Sequence, residues 1–239
     1  MKKLLPILLC LACFGTLRAQ APDELDAFQR ASGDESVLFR GKQATRINFP
    51  ANGNPYWESP EFVNGEVVFE GNLYRNVLLN IDASEQRALV QKSYGLLAVA
   101  LIPESTSSLT IGGRPFVGVG PGEALPEGFY EVFGTGPEHV YKHVQKTLSN
   151  SVDNMNGDGI GYYDDAYRSD VFRYFAIKTT YYFVSADGEV SRIKSKGALL
   201  RKFRDRKKEI RKSLKAAGMN EAGVGFEAYC KAVLNAAAQ

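Results

Sequence analysis

One stretch of the chain has the spacing of a loop that binds a hard cation. The segment from Asn154 to Asp165 places side-chain oxygens at positions 1, 3, 5 and 12 and a glycine at position 6. That spacing is typical of EF-hand-type calcium loops, in which side chains wrap the ion and glycine makes the sharp turn. Asn replaces the usual Asp at position 1, and Asp replaces the bidentate Glu at position 12. The residues therefore indicate either a solvated polar loop or a structural calcium site with the ligands Asn154, Asn156, Asp158 and Asp165.

The chain contains two histidines, His139 and His143, which share a face in either a helix or a strand. Two imidazoles at that spacing could ligate zinc, but Val140 stands where a metalloprotease has its Glu, and no third ligand can be assigned. We expect a surface pair without a metal. A Ser-His-Asp or Cys-His hydrolase would have to use one of these residues, and no nucleophile-elbow sequence is present. Paired carboxylates stay open as an enzyme alternative because their pairing is spatial.

The first nineteen residues have the composition of a secretory signal peptide. Lys2 and Lys3 precede an apolar run from Leu4 to Phe14, and a short stretch ends at Ala19. This order of charge, apolar run and small residue is typical of export signals. The run is shorter than the roughly 20 apolar residues of a transmembrane helix. We therefore predict export without a transmembrane span, to the periplasm or outer membrane of a Gram-negative bacterium.

Cleavage after Ala19 would make Gln20 the first mature residue, and lipidation at Cys13 is the alternative. Removal of the signal would also remove Cys10 and leave Cys230 as the last of the three cysteines. A single cysteine cannot form a disulfide within one chain, so the exported fold must depend on a hydrophobic core. In Ala-rich helical sequence we expect Cys230 to be a buried small apolar residue.

A short segment near the C-terminus concentrates positive charge. Between Arg192 and Lys215 twelve basic residues accompany only Asp205 and Glu209, whereas the rest of the predicted mature chain has 14 basic and 25 acidic residues. Anionic lipid attracts such a segment by about 1 kcal/mol for each cation near the surface. The alternative is a solvated helix without a binding role, whose positive charge complements the negative charge of the rest of the chain. Export argues against a nucleic-acid partner. The candidate contact residues are Arg201, Lys202, Arg204, Arg206, Lys207, Lys208, Arg211, Lys212 and Lys215.

Short runs rich in β-branched and aromatic residues, separated by Gly, Pro, Asn and Asp, follow one another from Val37 to Lys196. This pattern predicts an antiparallel sheet of eight to eleven strands. Two hairpins are predicted, with turns at Gly71-Asn72 and Asp187-Gly188. The segment from His139 to Thr147 fits either a strand or a helix. Further strands are predicted at 88–93, 97–102, 108–111, 114–119 and 129–134.

After Lys196 the apolar residues recur at helical spacing, which predicts an amphipathic helix over 197–217 and a second helix over 226–237. Each predicted helix has a narrow apolar stripe that must pack against another apolar surface, and we expect the sheet to be that surface. The predicted fold class is therefore α+β: a predominantly antiparallel sheet, open, sandwiched or closed, with two C-terminal helices. The predicted domains are a signal peptide at 1–19, an N-terminal arm at 20–36, a β domain at 37–196 and helices at 197–239 that pack on the sheet.

Two motifs resemble a group of uncharacterised exported proteins of the Bacteroidetes type. The first combines Trp57 and the strand Val67-Val68-Phe69 with a spaced pattern that runs from Gly71 to Asp82. The second runs from Tyr181-Tyr182-Phe183 through Asp187-Gly188 and Leu199-Leu200 into the basic helix. The resemblance covers about half of the predicted mature chain and implies export and a β-rich fold, but no activity. The members of the first pattern are Gly71, Tyr74, Asn76, Val77, Leu79 and Asp82.

Taken together, these features predict an exported cell-envelope protein that binds or supports a partner without evident catalysis. The expected partner is an envelope protein, a glycan or an anionic membrane surface. A peripheral protein that contacts anionic lipid or lipopolysaccharide through the basic helix is the first alternative. An envelope enzyme with paired carboxylates is the second. No cofactor is expected apart from the calcium ion that the loop at Asn154 could bind.

Overall fold

The computed structural model describes residues 31–44, 51–92, 97–152, 171–219 and 223–238, together with Glu24, Ala27 and Gln29. The chain divides into two units, Met1–Gly33 and Asp34–Gln239. In the first unit the described residues from Glu24 to Ser32 are helical. The second unit contains the sheet and the C-terminal helices. The predicted signal peptide and the predicted calcium ligands Asn154, Asn156, Asp158 and Asp165 lie outside the described residues.

A single antiparallel sheet of eleven strands dominates the described part of the second unit. The strands are β1 (Lys42–Gln43), β2 (Val63–Phe69), β3 (Asn72–Asp82), β4 (Arg87–Gln91), β5 (Ala98–Leu101), β6 (Thr106–Ile111), β7 (Arg114–Val119), β8 (Gly128–Phe133), β9 (His139–Val152), β10 (Val171–Val184) and β11 (Val190–Ile193). Their order in space is β1-β5-β4-β3-β2-β6-β7-β8-β9-β10-β11. Three helices follow: α1 (Lys196–Lys202), α2 (Lys207–Ala216) and α3 (Phe226–Ala237). The predicted α+β class is confirmed.

The predicted β2–β3 hairpin is present, but its turn lies one residue earlier than expected. The two turn residues are Glu70 and Gly71, both at positive φ (49° and 76°). Positive φ at both central residues gives a turn whose twist matches that of the strands. Close approach also constrains β2, since a Cβ at Gly65 would lie 2.0 Å from the carbonyl oxygen of Thr110 on β6. The hairpin is thereby held in register between its neighbours.

The segment that sequence left ambiguous, His139 to Thr147, is a strand and forms most of β9. β9 and β10 pair over 14 residues each, from His139 with Val184 to Val152 with Val171. β8 pairs only with the stretch from Val140 to His143. The second half of β9 and the first half of β10 therefore extend beyond β8 as a two-stranded ribbon.

The sheet is curved, and a short segment, 52–57, forms backbone hydrogen bonds with two strands that are far apart in the strand order. The amide of Asn52 donates to the carbonyl of Arg173 on β10 at 2.7 Å. Five residues later, the amide of Trp57 donates to the carbonyl of Ile81 on β3 at 2.8 Å. Since β3 and β10 are far apart in the strand order, one segment can reach both only if the sheet is strongly curved. Strand pairing alone thus leaves a gap that this segment bridges.

Gln86 completes the closure where the β3–β4 turn meets β9. Its side-chain amide donates to the carbonyls of Ala83 (2.8 Å) and Val144 (2.9 Å). Its carbonyl oxygen accepts from the amide of Phe129 at 3.3 Å and lies 3.0 Å from Nε2 of His143. The apolar side chains inside the curl form the first core, which includes Leu38, Trp57, Leu79, Ile81, Leu101, Phe116 and Phe129.

The C-terminal helices cover one end of the sheet and form a second core with it. Phe133, Val140, Phe183 and Ile193 of the sheet pack with apolar residues of all three helices. The helix predicted over 197–217 is in fact two helices, because a turn separates α1 from α2 at residues 203–206. Phe203 in that turn is 3% exposed and lies edge-on to Phe183, with ring centroids 5.4 Å apart. No helix in the described part of the chain is long and apolar enough to cross a membrane.

We expect the stability of this closure to depend on pH through the buried imidazole of His143. It is 7% exposed, and its ring stacks on Tyr130 with centroids 4.7 Å apart. Burial, reinforced by the charge of Lys178, lowers the pKa of His143 from 6.5 to about 4. Between these two pH values the unfolded chain binds the additional proton and the folded chain does not. The free energy of unfolding should therefore decrease as pH falls from 6.5 towards 4.

The variant His143→Gln tests this assignment. Without the titrating ring, the midpoint of urea unfolding should change less between pH 6.5 and pH 4 than it does in the wild type. His139→Gln removes the other histidine and serves as the comparison. An unchanged slope in His143→Gln would mean that other groups cause the acid sensitivity.

Candidate anionic-surface interface

The helix α2 presents cations on the side opposite to its buried residues. Ile210 and Leu214 are 1% and 5% exposed and pack in the second core. At 100° per residue, four basic residues fall within an arc of about 100° on the far side of the helix. All four are exposed. We call this surface the cationic face and define it by Lys208, Arg211, Lys212 and Lys215.

These charges are unneutralised within the part of the chain that the structure describes. None of the four residues of the cationic face forms an ion pair with a described residue. Lys208 and Lys212, and likewise Arg211 and Lys215, stand at the i,i+4 spacing. Like charges at that spacing destabilise a helix by about 0.2–0.5 kcal/mol for each pair. An anion placed over the face would relieve this repulsion.

The turn between α1 and α2 contains an exposed cation and also a cation that is bound by other parts of the fold. Arg206, a predicted contact residue, binds the carboxylate of Glu138 and the carbonyl of Ala237 at the end of α3. It therefore holds the helices to the sheet. Lys207 is half-buried, and the remaining predicted contact residues are exposed: Arg201, Lys202, Arg204, Lys208, Arg211, Lys212 and Lys215. Seven of the nine predicted residues are thus accessible together.

Beneath the helices, a buried carboxylate on β8 anchors a network of ion pairs. Glu131 is 2% exposed and accepts two bonds from the guanidinium of Arg114, at 3.0 and 2.8 Å. The ammonium of Lys142 on β9 lies 3.7 Å from the same carboxylate and 2.7 Å from that of Glu227 on α3. The hydroxyl of Tyr181 donates to Glu227 at 2.9 Å. The network therefore links the sheet to the first turn of α3.

The charges of this network determine the ionisation of Glu227. Burial tends to raise the pKa of this carboxyl group, but the bonds from Lys142 and Tyr181 outweigh burial and hold the pKa below its ordinary value. Burial and the bond to Glu227 also raise the pKa of the Tyr181 hydroxyl. Glu227 is therefore ionised, and Tyr181 is a neutral donor, at neutral pH. A negative charge in the first turn of α3 also suits the dipole of that helix.

A cleft of about 240 Å³ borders the same network near Trp57 and Phe116. Two carboxylates line it, Glu58 and Glu61, and Glu58 pairs with Arg114 at 2.7 Å. The Trp57 and Phe116 rings meet edge to face at 5.3 Å and are almost fully buried. Arg114 therefore holds one of the two carboxylates of the cleft in an ion pair.

The histidines do not form the surface pair that the sequence suggested. His143 is buried against Gln86, and His139 is half-buried, with its ring 6.1 Å from that of Tyr141. Among the described residues, no group of three or more His, Cys, Asp or Glu side chains could hold a metal ion. Cys230 is fully buried, as predicted, and burial raises the pKa of its thiol to about 12.

Sequence reasoning missed the network at Glu131, although one signal for it exists. Glu131 follows Phe129 and Tyr130 in a strand that is otherwise apolar. An acidic residue inside an apolar strand is unfavourable unless a cation accompanies it. The cation comes from Arg114 and Lys142, which belong to two other strands. Only the pairing of β7 with β8 and of β8 with β9 identifies them.

Replacing Glu131 with Gln should destabilise the fold strongly. The amide cannot neutralise Arg114 and Lys142, and breaking a buried ion pair from one side costs about 3 kcal/mol. Urea unfolding monitored by circular dichroism measures the loss. Glu66→Gln is the matched control, because Glu66 pairs with Arg75 at the surface and its removal should cost less than about 1 kcal/mol. Similar losses in the two variants would contradict an anchoring role for Glu131.

Comparisons with family models, with curated proteins and with solved structures find no match to this chain.

Proposed function

We propose that the chain is an exported, non-catalytic binding protein of the cell envelope that attaches to an anionic surface through the cationic face. The observation that carries this proposal is the exposure of seven cations around α2, none of which pairs with a described carboxylate. If these cations served instead to complement an acidic body, described carboxylates would be expected against them, and none lies within ion-pair distance.

The strength of the expected attraction follows from the number of cations that can approach a surface together. Each Lys or Arg near an anionic leaflet contributes about 1 kcal/mol. The four residues of the cationic face share one side of one helix, so that all of them can reach a flat surface at once. Salt should weaken the attraction, because the Debye length falls to about 8 Å at physiological ionic strength.

The location of the protein is also part of the proposal. The charged start and the apolar run at Leu4 to Phe14 support export, which the resemblance to exported proteins of the Bacteroidetes type also implies. We propose the periplasm or the outer membrane of a Gram-negative bacterium as the compartment. In such an envelope, lipid and lipopolysaccharide provide anionic surfaces.

Co-sedimentation with vesicles tests the proposal. The purified chain should bind vesicles that contain phosphatidylglycerol, should bind phosphatidylcholine vesicles weakly, and should lose affinity as salt increases. The triple variant Lys208→Gln, Arg211→Gln and Lys212→Gln should bind about 100-fold more weakly at low salt, because three contributions of about 1 kcal/mol are removed.

A control variant separates the cationic face from net charge. Lys42→Gln, Lys92→Gln and Lys178→Gln remove the same charge from the sheet and its loops. This control should stay close to the wild-type affinity. Equal losses in the two triple variants, or binding that salt does not affect, would show that no specific face is involved and would overturn the proposal.

A further inference from the structure

The cleft near Trp57 and Phe116 has an apolar floor and a charged rim. Trp57, Ile81 and Phe116 line it and are at most 7% exposed. The carboxylates of Glu58 and Glu61 belong to exposed residues at its edge. Its volume of about 240 Å³ lies just below the range of about 300–1,000 Å³ that is usual for small-molecule sites. The cleft therefore suits a small molecule, or one unit of a longer molecule that lies across its opening.

The residues of the cleft have hydrogen-bonding capacity that the described part of the chain does not use. Nε1 of Trp57 is buried and has no hydrogen-bond partner among the described residues. A buried donor without a partner is unfavourable, so this nitrogen indicates an acceptor that comes from outside the described chain. Arg114 makes two bonds to Glu131 and one to Glu58, and a guanidinium has five N–H groups. Two N–H groups of Arg114 thus remain for a ligand.

The acidic side of the cleft is held in a fixed position. The side-chain amide of Asn80, which is 6% exposed, donates to the carbonyl oxygens of Ser59 at 2.9 Å and Glu61 at 3.0 Å. The carboxylate of Glu61 forms no ion pair with a described residue. The backbone is therefore anchored beside a carboxylate that is able to accept hydrogen bonds from a ligand. Binding to a site that is already formed avoids much of the cost of ordering it.

We infer that the cleft binds a neutral saccharide unit. An anion would be repelled by Glu58 and Glu61, and a cation would be repelled by Arg114. A sugar hydroxyl both donates and accepts, so a saccharide can donate to the carboxylates and accept from Arg114 and Trp57. The C–H groups of its ring would pack on the apolar floor. This inference goes beyond the proposed function, because no residue of the cationic face lines the cleft.

Trp57 is the one tryptophan of the chain, so its fluorescence reports directly on the cleft. Glucose, galactose, mannose and N-acetylglucosamine are titrated separately at millimolar concentrations. At least one of them should change the emission in a saturable way. The sugar that binds best is then compared with its uronic acid and its 2-amino analogue, which add a negative or a positive charge to the same ring. Both charged analogues should bind more weakly than the neutral sugar.

Two variants with matched controls locate the binding. Val63→Phe fills the cleft from a side chain that is 41% exposed and should abolish saturable binding. Its control is Leu78→Phe, at a 42% exposed position that does not line the cleft. Glu61→Gln should weaken binding by about tenfold, because hydrogen bonds to a charged acceptor are stronger than those to a neutral one. Glu189→Gln, at an exposed residue between β10 and β11, should keep the wild-type affinity.

Three results would overturn the inference. The first is an emission that none of the four sugars changes, and the second is a charged analogue that binds at least as tightly as the neutral sugar. The third is wild-type affinity in both Val63→Phe and Glu61→Gln, because the sugar would then bind elsewhere. Circular dichroism checks that each variant keeps its fold. If Val63→Phe does not, Glu61→Gln decides, and a wild-type affinity in that variant alone overturns the inference.

Discussion

The position of the C-terminal helices depends on an ion pair between Lys142 of β9 and Glu227 of α3. An ammonium and a carboxylate 2.7 Å apart, partly withdrawn from water, tolerate little displacement. Lys142 is itself held near Glu131, whose negative charge is buried in β8 and shared with Arg114. A buried ion pair adds little net stability compared with apolar packing, but its loss on one side is costly. The network therefore links α3 to β8 and β9 through charges whose one-sided loss would be costly, beside the apolar contacts of the second core.

The placement of the helices also explains why α2 presents so much charge. Ile210 and Leu214 supply all the apolar contact that α2 needs, and Arg206 fixes the start of the helix through Glu138 and the carbonyl of Ala237. Of its eight other positions, five carry Lys or Arg, and four of these five form the cationic face. Because like charges on neighbouring turns repel one another, this pattern has a cost in helix stability. An anionic surface over the cationic face would offset that cost.

Much of the fold could be predicted from the sequence, because the local patterns agree with the final structure. Alternation of apolar and polar residues located the β2–β3 and β10–β11 hairpins, and helical spacing located α3. The turn at residues 203–206 could not be predicted. Leu200, Phe203 and Ile210 keep a helical phase across it, whereas the partners of Arg206 lie 31 and 68 residues away.

In the candidate site, too, the features that depend on neighbouring residues could be predicted from the sequence, whereas those that depend on distant residues could not. The exposure of Lys208, Arg211, Lys212 and Lys215 follows from the phase of Ile210 and Leu214, so sequence was sufficient. The burial of His143 was missed because its partner, Gln86, is 57 residues earlier in the chain.

Hydrogen exchange of the purified chain, with and without phosphatidylglycerol vesicles, tests the central claim most directly. If the helical layer is the attachment surface, amide exchange in α2 and α3 should slow when vesicles are present, and exchange in β2 and β3 should stay the same. Slower exchange confined to the β9–β10 ribbon, or no change anywhere under conditions in which the protein sediments with the vesicles, would contradict attachment through the cationic face.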